Sequence, residues 1–149
     1  MKRILGSESG QALAEFALFT PFFLVMVFGV IDLSFFLTEV MATQEAAVEG
    51  ANYGSAPGNQ NDDSGMQTWA AYAGSYGITL TGTPTATTFY TCTPGGTHVT
   101  ATTSCSSGVG PMEYVQVTAS TTLSPVLASW MFGSETYSAT ATYRVAYKE

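Results

Sequence analysis

The chain is short of charge, and above all of positive charge. Only 10% of its 149 residues are charged, and four Lys and Arg residues against eleven Asp and Glu residues give a net charge of −7. Soluble globular domains carry about 25% charged residues. Because nucleic-acid binding needs clustered Lys and Arg to neutralise phosphates, this composition all but excludes a nucleic-acid partner. It also disfavours electrostatic docking on anionic lipid.

Residues typical of catalysis and metal binding are scarce as well. His98 is the single histidine and lies in a Thr-rich segment typical of a strand, where a lone imidazole is usually a surface side chain. The serines around Cys105 lie in no G-x-S-x-G motif. Asp62 and Asp63 are adjacent in a polar segment but lack the full pattern of a calcium loop. We therefore expect no enzymatic activity, no cofactor and no metal site.

What the chain does have is one long apolar segment near its start. No charge interrupts the sixteen residues from Phe16 to Ile31. A bilayer core of about 30 Å requires about 20 mostly apolar helical residues, and the segment from about Leu13 to Leu37 meets that length. A secretory signal peptide has a shorter apolar region followed by a small-x-small cleavage site, which is not evident here. We therefore predict a retained transmembrane helix over about residues 13–37.

The few basic residues predict how this helix is oriented. Lys2 and Arg3 precede it, and the next basic residue along the chain is Arg144. Basic residues flank transmembrane helices mainly on the cytoplasmic side. We expect a single-pass inner-membrane protein, in contact with lipid, whose N-terminus is cytoplasmic and whose C-terminal domain is extracytoplasmic.

The helix is predicted to continue beyond the membrane. The residues after Leu37 are mostly good helix formers without proline, and Gly50 or Gly54 offers a stop. One helix over residues 11–53 follows, loosened at Pro21 because proline lacks a backbone donor. Residues 54–65 are rich in Gly, Pro, Asn and Asp and are predicted to form a linker.

Residues 66–149 are predicted to form a small extracytoplasmic α+β domain. Met66, Trp69 and Tyr72 recur at helical intervals, with Ser64 or Asp63 as the N-cap. Strands are predicted at about 87–93, 97–103, 113–121 and 135–147, the last from the strict alternation in "TYSATATYRVAY". The predicted fold class is α+β: a long, partly transmembrane N-terminal helix followed by a small antiparallel β-sheet domain with one short helix.

The two cysteines, Cys92 and Cys105, both lie in the predicted β region. An even, small number of cysteines on the extracytoplasmic side of a membrane helix favours a disulfide. A metal-bound pair is the rival, but a single histidine and the absence of a C-x-x-C motif make it weak. Such a disulfide closes a loop of about 14 residues, worth about 3 kcal/mol in the chain-entropy model.

A further motif lies where the apolar segment starts. Gly10, Glu15 and Phe16 form the pattern G-x-x-x-x-E-F directly before the helix. This pattern resembles the site of class III prepilin peptidases, which cleave after the glycine. The resemblance implies that residues 1–10 are a prepilin-type leader and that Gln11 is the first residue of the mature chain.

The resemblance extends to the TadE-like pseudopilins of the tight-adherence (Tad/Flp) pilus system. The N-terminal stretch "GQALAEFALFTPFFLVMVFGVIDL" is similar to that family's signature, and "ATQEAAVEGANYG" to its helix end. The stretches "YVQVTAS", "LSPVLASWMFG" and "YSATATYRV" resemble its closing strand, apolar insert and final strand. The resemblance implies a minor pilin taking part in assembly of an adhesive Flp-type IV pilus. Its partners would be a prepilin peptidase, other pilins through the N-terminal helices, an inner-membrane assembly platform and a cytoplasmic ATPase.

Three side chains of the apolar helix gain assembly roles in this interpretation. Glu15 would pair with the α-amine of Gln11, of its own chain or a neighbour's, which would set the axial register between helices. The alternative is that Glu15 only reaches the cytoplasmic headgroups. Phe16, like the other phenylalanines of the helix, contacts either neighbouring helices or lipid. Asp32 either pairs inside an assembly or lies at the outer membrane–water interface.

Two other functions stay open at this point. The chain could be the main structural subunit of an extracellular pilus filament. It could also be a single-pass anchor that displays a Thr-rich, disulfide-closed ligand-binding module. Stoichiometry and ligand are not encoded in any motif.

Overall fold

The computed structural model describes residues 8–74, 78–106, 108–125 and 133–146. Two helices, α1 (Glu8–Ser55) and α2 (Asp63–Gly74), precede four strands. The strands are β1 (Thr85–Thr91), β2 (His98–Val99), β3 (Met112–Leu123) and β4 (Glu135–Arg144). The predicted α+β class, with a long N-terminal helix, a short second helix and a small antiparallel sheet, is confirmed.

The four strands form one antiparallel sheet in the order β2-β1-β3-β4. β3 is the central strand and pairs along its length with β1 on one side and β4 on the other. The strand predicted at 97–103 is much shorter in the structure, because residues 100–103 form a turn. In that turn the Thr103 N–H donates to the Thr100 carbonyl at 3.0 Å, and the Thr103 hydroxyl accepts from the Thr100 N–H at 3.2 Å. Local hydroxyl bonds of this kind compete with the strand ladder.

The hydrophobic core lies between the inner face of the sheet, the second half of α1 and one side of α2. Its members are almost all small or β-branched: Ala46, Ala47, Ala51, Met66, Ala70, Val115, Val117, Ala119, Ala139, Ala141 and Val145. The strict alternation of buried and partly exposed residues along β3 is what a sheet with one covered face requires. Small side chains on α1 allow the helix axis to approach the sheet closely.

The glycines of α1 serve this close approach. A Cβ on Gly50 would lie 2.8 Å from the Met66 carbonyl oxygen and 3.0 Å from a methyl group of Val117. A Cβ on Gly54 would collide with the Met66 sulfur. The sequence suggests Gly50 or Gly54 as helix stops, but α1 runs through both and ends at Ser55. Packing contacts therefore outweigh the low helix propensity of glycine here.

The first turn of α2 is capped by a residue other than the two that the sequence favours. Asp62, rather than Ser64 or Asp63, precedes the helix, and its Oδ1 accepts a hydrogen bond from the Gly65 N–H at 2.9 Å. Its Oδ2 accepts a second bond from the Tyr53 hydroxyl at 2.8 Å. These bonds tie the start of α2 to the last turns of α1.

The outer face of the sheet is covered by neither α1 nor α2. Pairs of hydroxyl side chains bridge β3 and β4 there: Thr118 with Thr140 and Ser120 with Ser138, both at 2.8 Å. Cross-strand pairs of this kind stabilise a sheet without charge. The outer face is thus polar but almost uncharged, as a Thr-rich composition allows.

Candidate functional site

The first half of α1 is an apolar surface that the described residues leave uncovered. Phe16 and Phe22 are 71% and 72% exposed, and large exposed apolar side chains continue to Met41. From Gly10 onwards, the first buried residue of the helix is Thr43. Within the described part of the chain, α1 is a helix long and apolar enough to cross a membrane. Such a surface requires lipid or other apolar helices around it.

Hydroxyl groups on this surface are satisfied inside the helix. The Thr20 hydroxyl donates to the Phe16 carbonyl at 2.7 Å. Ser34 and Thr38 donate to the carbonyls four residues earlier, each at 2.9 Å. In hydrocarbon no water is available to accept these protons, so the internal bonds make the segment compatible with a bilayer.

The residues implicated in leader processing lie at the very start of α1. Gly10 and Gln11 follow Glu8, the first residue of α1, by two and three positions. Gln11 and Glu15 lie one turn apart on the same side, and the Gln11 Nε2 donates to the Glu15 Oε1 at 3.1 Å. Both residues are exposed, as is Phe16. The structure therefore brings the predicted new N-terminal residue and the carboxylate together on one face.

Asp32 does not join this group. It lies seventeen residues after Glu15, or about 26 Å along the helix axis at 1.5 Å per residue. It lines a groove of about 380 Å³ with Leu33 and Phe36, which Ser124 and Pro125 close from the chain after β3. Asp32 is half-buried, and the groove marks the point where the C-terminal domain reaches down the helix towards its apolar half. The apolar insert that resembles the family's continues into 126–132, outside the described residues.

The two cysteines are joined in the structure. Cys92 and Cys105 form a disulfide with their Cα atoms 5.5 Å apart. It ties the end of β1 to the chain following β2, and Cys105 is buried. Among the described residues, no three His, Cys, Asp or Glu side chains lie close enough together to hold a metal ion.

The charge environment of Asp62 is the clearest electrostatic feature of the domain. The hydrogen bond from the Gly65 N–H, followed by the one from the Tyr53 hydroxyl, holds the pKa of Asp62 below its usual value. Both donors favour the ionised form. The sequence alone assigns Asp62 to a solvated linker; the signal available is its position three residues before Gly65, the spacing of an N-cap contact.

A protein-family model matches the N-terminal part of the chain. The family described as TadE-like protein matches residues 10–52, which span the leader boundary, the apolar segment and the glycine-containing half of α1 up to Asn52. The resemblance noted from the sequence is thereby confirmed over this segment, and the family suggests a protein associated with the Tad pilus. Comparisons with curated proteins and with solved structures give no significant match.

Proposed function

We propose that this chain is a minor pilin, or pseudopilin, that takes part in assembling a Tad pilus. One observation carries the proposal: the TadE-like match covers the segment that places Gly10, Gln11 and Glu15 at the start of an exposed apolar helix. The helix surface has no cover within the described chain, so it is free to pack against helices of other pilus subunits. The role requires no catalysis, cofactor or metal from this chain.

The first step in this proposal is removal of the leader. A prepilin peptidase cleaves between Gly10 and Gln11 on the cytoplasmic side, and residue 11 gains a charged α-amine. Because glycine is a weak helix former, Gly10 favours local unwinding into an extended peptidase site. The domain from about residue 54 onwards stays on the extracytoplasmic side.

The second step is helix packing within the assembly. Glu15 lies on the same face as residue 11, so the new α-amine of its own chain or of a neighbour lies within reach of the carboxylate. A carboxylate in low dielectric is costly unless it is paired, so this ion pair favours one axial offset between helices. The assembly platform in the inner membrane and its ATPase then move the packed subunits outward.

The N-terminus of the protein extracted from its own envelope tests the first step. Intact mass and N-terminal sequencing are expected to give a start at Gln11, and Gly10→Leu is expected to restore a start at Met1. Gly29→Ala is the matched control, because Gly29 is also a helical glycine and a Cβ added there would meet no neighbouring atom within 4 Å. A wild-type chain that starts at Met1 contradicts the processing step.

Glu15→Gln tests the second step separately. The variant keeps the size of the side chain and one acceptor oxygen but removes its charge. We expect normal cleavage after Gly10 and loss of co-purification with other pilins. If Glu15→Gln is cleaved and co-purifies like the wild type, the ion pair does not set the register.

The composition of the filament distinguishes a minor pilin from the main structural subunit. Sheared extracellular fibres are expected to contain only traces of this chain. When the chain is deleted, no fibres are expected. Fibres made mostly of this chain would establish it as the main structural subunit instead. A chain that starts at Met1 and whose deletion leaves pili intact would favour the anchored display module.

A further inference from the structure

An apolar groove lies where the end of the predicted transmembrane segment meets the sheet domain. Its volume is about 380 Å³, and one wall is the side of α1 between Gly29 and Glu39. Ser124 and Pro125, which follow β3, form the opposite wall. The apolar lining on α1 consists of large side chains: Leu33, Phe35 and Phe36. We call this space the boundary groove, because the predicted transmembrane segment ends beside it at about Leu37.

Gly29 keeps the boundary groove open at its membrane end. A Cβ built on this residue would have no neighbouring atom within 4 Å. Glycine in a helix interior is less favourable than alanine, and at Gly50 close packing accounts for it. No such packing surrounds Gly29 in the described part of the chain, so the space beside it is free for a ligand.

Two carboxylates border this apolar lining. Asp32 and Glu39 lie two turns apart on the same side of α1, about 10 Å along the helix axis. Both are half-buried, whereas every residue from Leu33 to Thr38 is exposed. Asp32 precedes the end of the predicted transmembrane segment and Glu39 follows it. Two carboxylates at the level of the membrane boundary attract a positively charged group.

The described residues that line the boundary groove include these two acids and no lysine or arginine. Arg144 is the one basic residue in the described ranges. The Ala146 N–H donates to the Ser55 carbonyl at 3.0 Å, which places Arg144 near the end of α1. That end lies about 24 Å beyond Glu39 at 1.5 Å per residue. The charge of the groove therefore disfavours an anionic headgroup and favours a cationic one.

A phospholipid brings both of the parts that this groove matches. The groove is continuous with the exposed apolar surface of α1, so a lipid that covers that surface reaches it without leaving the bilayer. Its hydrocarbon chain matches the apolar lining, and an ammonium headgroup matches the carboxylates. The α1 helix of a second copy offers no such match, because the chain has no basic residue between Arg3 and Arg144.

We propose that the boundary groove binds a phospholipid whose headgroup carries a primary amine, as that of phosphatidylethanolamine does. One acyl chain lies along the apolar lining towards Gly29. The ammonium donates charge-assisted hydrogen bonds to Asp32 and Glu39, and the Ser124 hydroxyl donates to the phosphate. This inference rests on α1 lying in a membrane, as in the proposed function, but not on leader cleavage or helix pairing.

Lipid retention by the full chain in detergent micelles tests the inference. The purified chain is mixed with equal amounts of phosphatidylethanolamine and phosphatidylglycerol that carry identical acyl chains, and native mass spectrometry counts the lipids bound. We expect phosphatidylethanolamine to be retained about fivefold more often or better, because only its ammonium pairs with the carboxylates. Equal retention of the two lipids, or a preference for phosphatidylglycerol, overturns the inference.

Variants assign the retained lipid to the boundary groove. The double variant Asp32→Asn with Glu39→Gln is expected to remove the preference between the two lipids. Glu45→Gln removes a carboxylate from the same helix outside this groove, so it is the matched control and keeps the preference. Gly29→Leu fills the membrane end of the groove and is expected to lower retention of both lipids. A double variant with the wild-type preference contradicts the site.

A photoreactive benzoyl group on the ring of Phe36 identifies the occupant in the native membrane. Irradiation is expected to yield an adduct with phosphatidylethanolamine, and an adduct with a helix of another pilin instead overturns the inference. The two proposals fail separately. A chain that is cleaved after Gly10 and needed for pili, but gives no lipid adduct, contradicts only the lipid site. A chain that gives the lipid adduct, but whose deletion leaves pili intact, supports the lipid site and contradicts the assembly role.

Discussion

The two halves of helix α1 have the same backbone but opposite surfaces. Between residues 13 and 37 large apolar side chains point in every direction and stay exposed. From Thr43 to Gly54 one side of the helix carries threonine, alanine and glycine and is buried against α2 and the sheet. The lower half is adapted to lipid or to other helices, and the upper half to a sheet of its own chain.

The difference shows what each environment selects. Lipid accepts any large apolar side chain, so most positions of the lower half, apart from Glu15 and Asp32, need only hydropathy. A sheet packed closely on a helix accepts only side chains that fit the remaining space, so the upper half needs small residues at fixed positions. Substitutions that are harmless in one half are therefore expected to be harmful in the other.

Introducing an aspartate into each half of α1 is expected to give the largest difference between the two halves. Val25→Asp places a carboxylate near the centre of the apolar segment and is expected to cost about 2.5–3.5 kcal/mol in membrane insertion. Val48→Asp, at a position 38% exposed in the upper half, is expected to change stability by less than about 0.5 kcal/mol. The inserted fraction of both variants is measured by glycosylation mapping, and the stability of Val48→Asp by urea unfolding of the domain. Equal loss of insertion in the two variants would show that the halves are not distinct.

Removing the disulfide affects the sheet alone. Replacing both Cys92 and Cys105 by serine is expected to lower the free energy of unfolding of the domain by about 3 kcal/mol, because the unfolded chain is no longer constrained by a closed loop. Urea unfolding followed by tryptophan fluorescence measures it, and membrane insertion stays normal. Wild type treated with a reductant is the control and should match the double variant. A reductant that leaves the wild type as stable as before argues against the role of this bond.

An added methyl group distinguishes the glycines of the two halves. Gly50→Ala forces a Cβ against the Met66 carbonyl oxygen and the Ala70 methyl group, 2.8 and 2.9 Å away, and is expected to destabilise the domain by about 1–3 kcal/mol. Gly29→Ala meets no atom within 4 Å and is expected to leave the domain unchanged. Thermal unfolding of both variants in the same detergent provides the comparison. A Gly50→Ala variant as stable as wild type would mean that the helix is not tightly packed there.

The smallest expected effect lies at the junction between α1 and α2. The pKa of Asp62 is lowered in the folded state, so its two hydrogen bonds add stability above the unfolded pKa, near 3.8. This contribution is lost as the pH falls through the lower folded value. The stability difference between wild type and Asp62→Asn should therefore shrink as the pH falls below about 4. Urea unfolding at a series of pH values measures this difference.

A neighbouring carboxylate supplies the control for that experiment. Asp63→Asn removes the same charge one residue away and keeps both hydrogen bonds of Asp62. If Asp62→Asn and Asp63→Asn differ from the wild type by the same amount at every pH, the bonds of Asp62 are not the cause.

Part of this structure can be predicted from the sequence and part cannot. Hydropathy predicts α1 and strict alternation predicts β4, because both patterns are local. The passage of α1 through Gly50 and Gly54 is not predictable in this way, because glycine normally signals a stop and only the contact with Met66 and Val117 explains it. The hydrogen bond from Tyr53 to the capping residue Asp62 joins α1 to the start of α2, and no local pattern predicts it.

The row of Phe89, His98, Tyr114 and Arg144 across the outer face of the sheet could not be found from sequence for a related reason. His98, Phe89, Tyr114 and Arg144 come from four strands, and only the pairing register puts them side by side. The sequence alone assigns His98 to the surface of a strand, which is where it lies, but gives no sign of its aromatic neighbours. The residues implicated in leader processing can be proposed from the sequence, because Gly10, Gln11 and Glu15 lie within one short stretch.

The unbroken course of α1 also has a mechanical consequence. The helix is 48 residues long, about 72 Å. Because the sheet packs along its upper half, we expect the helix and the sheet to move together. Shifting the helix by one residue relative to its neighbours means a rise of about 1.5 Å and a rotation of about 100°. The outer face of the sheet would then point in a different direction around the helix axis. A rotation of the N-terminal end of the helix is therefore transmitted to the domain. Pro21 is the position at which the helix can bend.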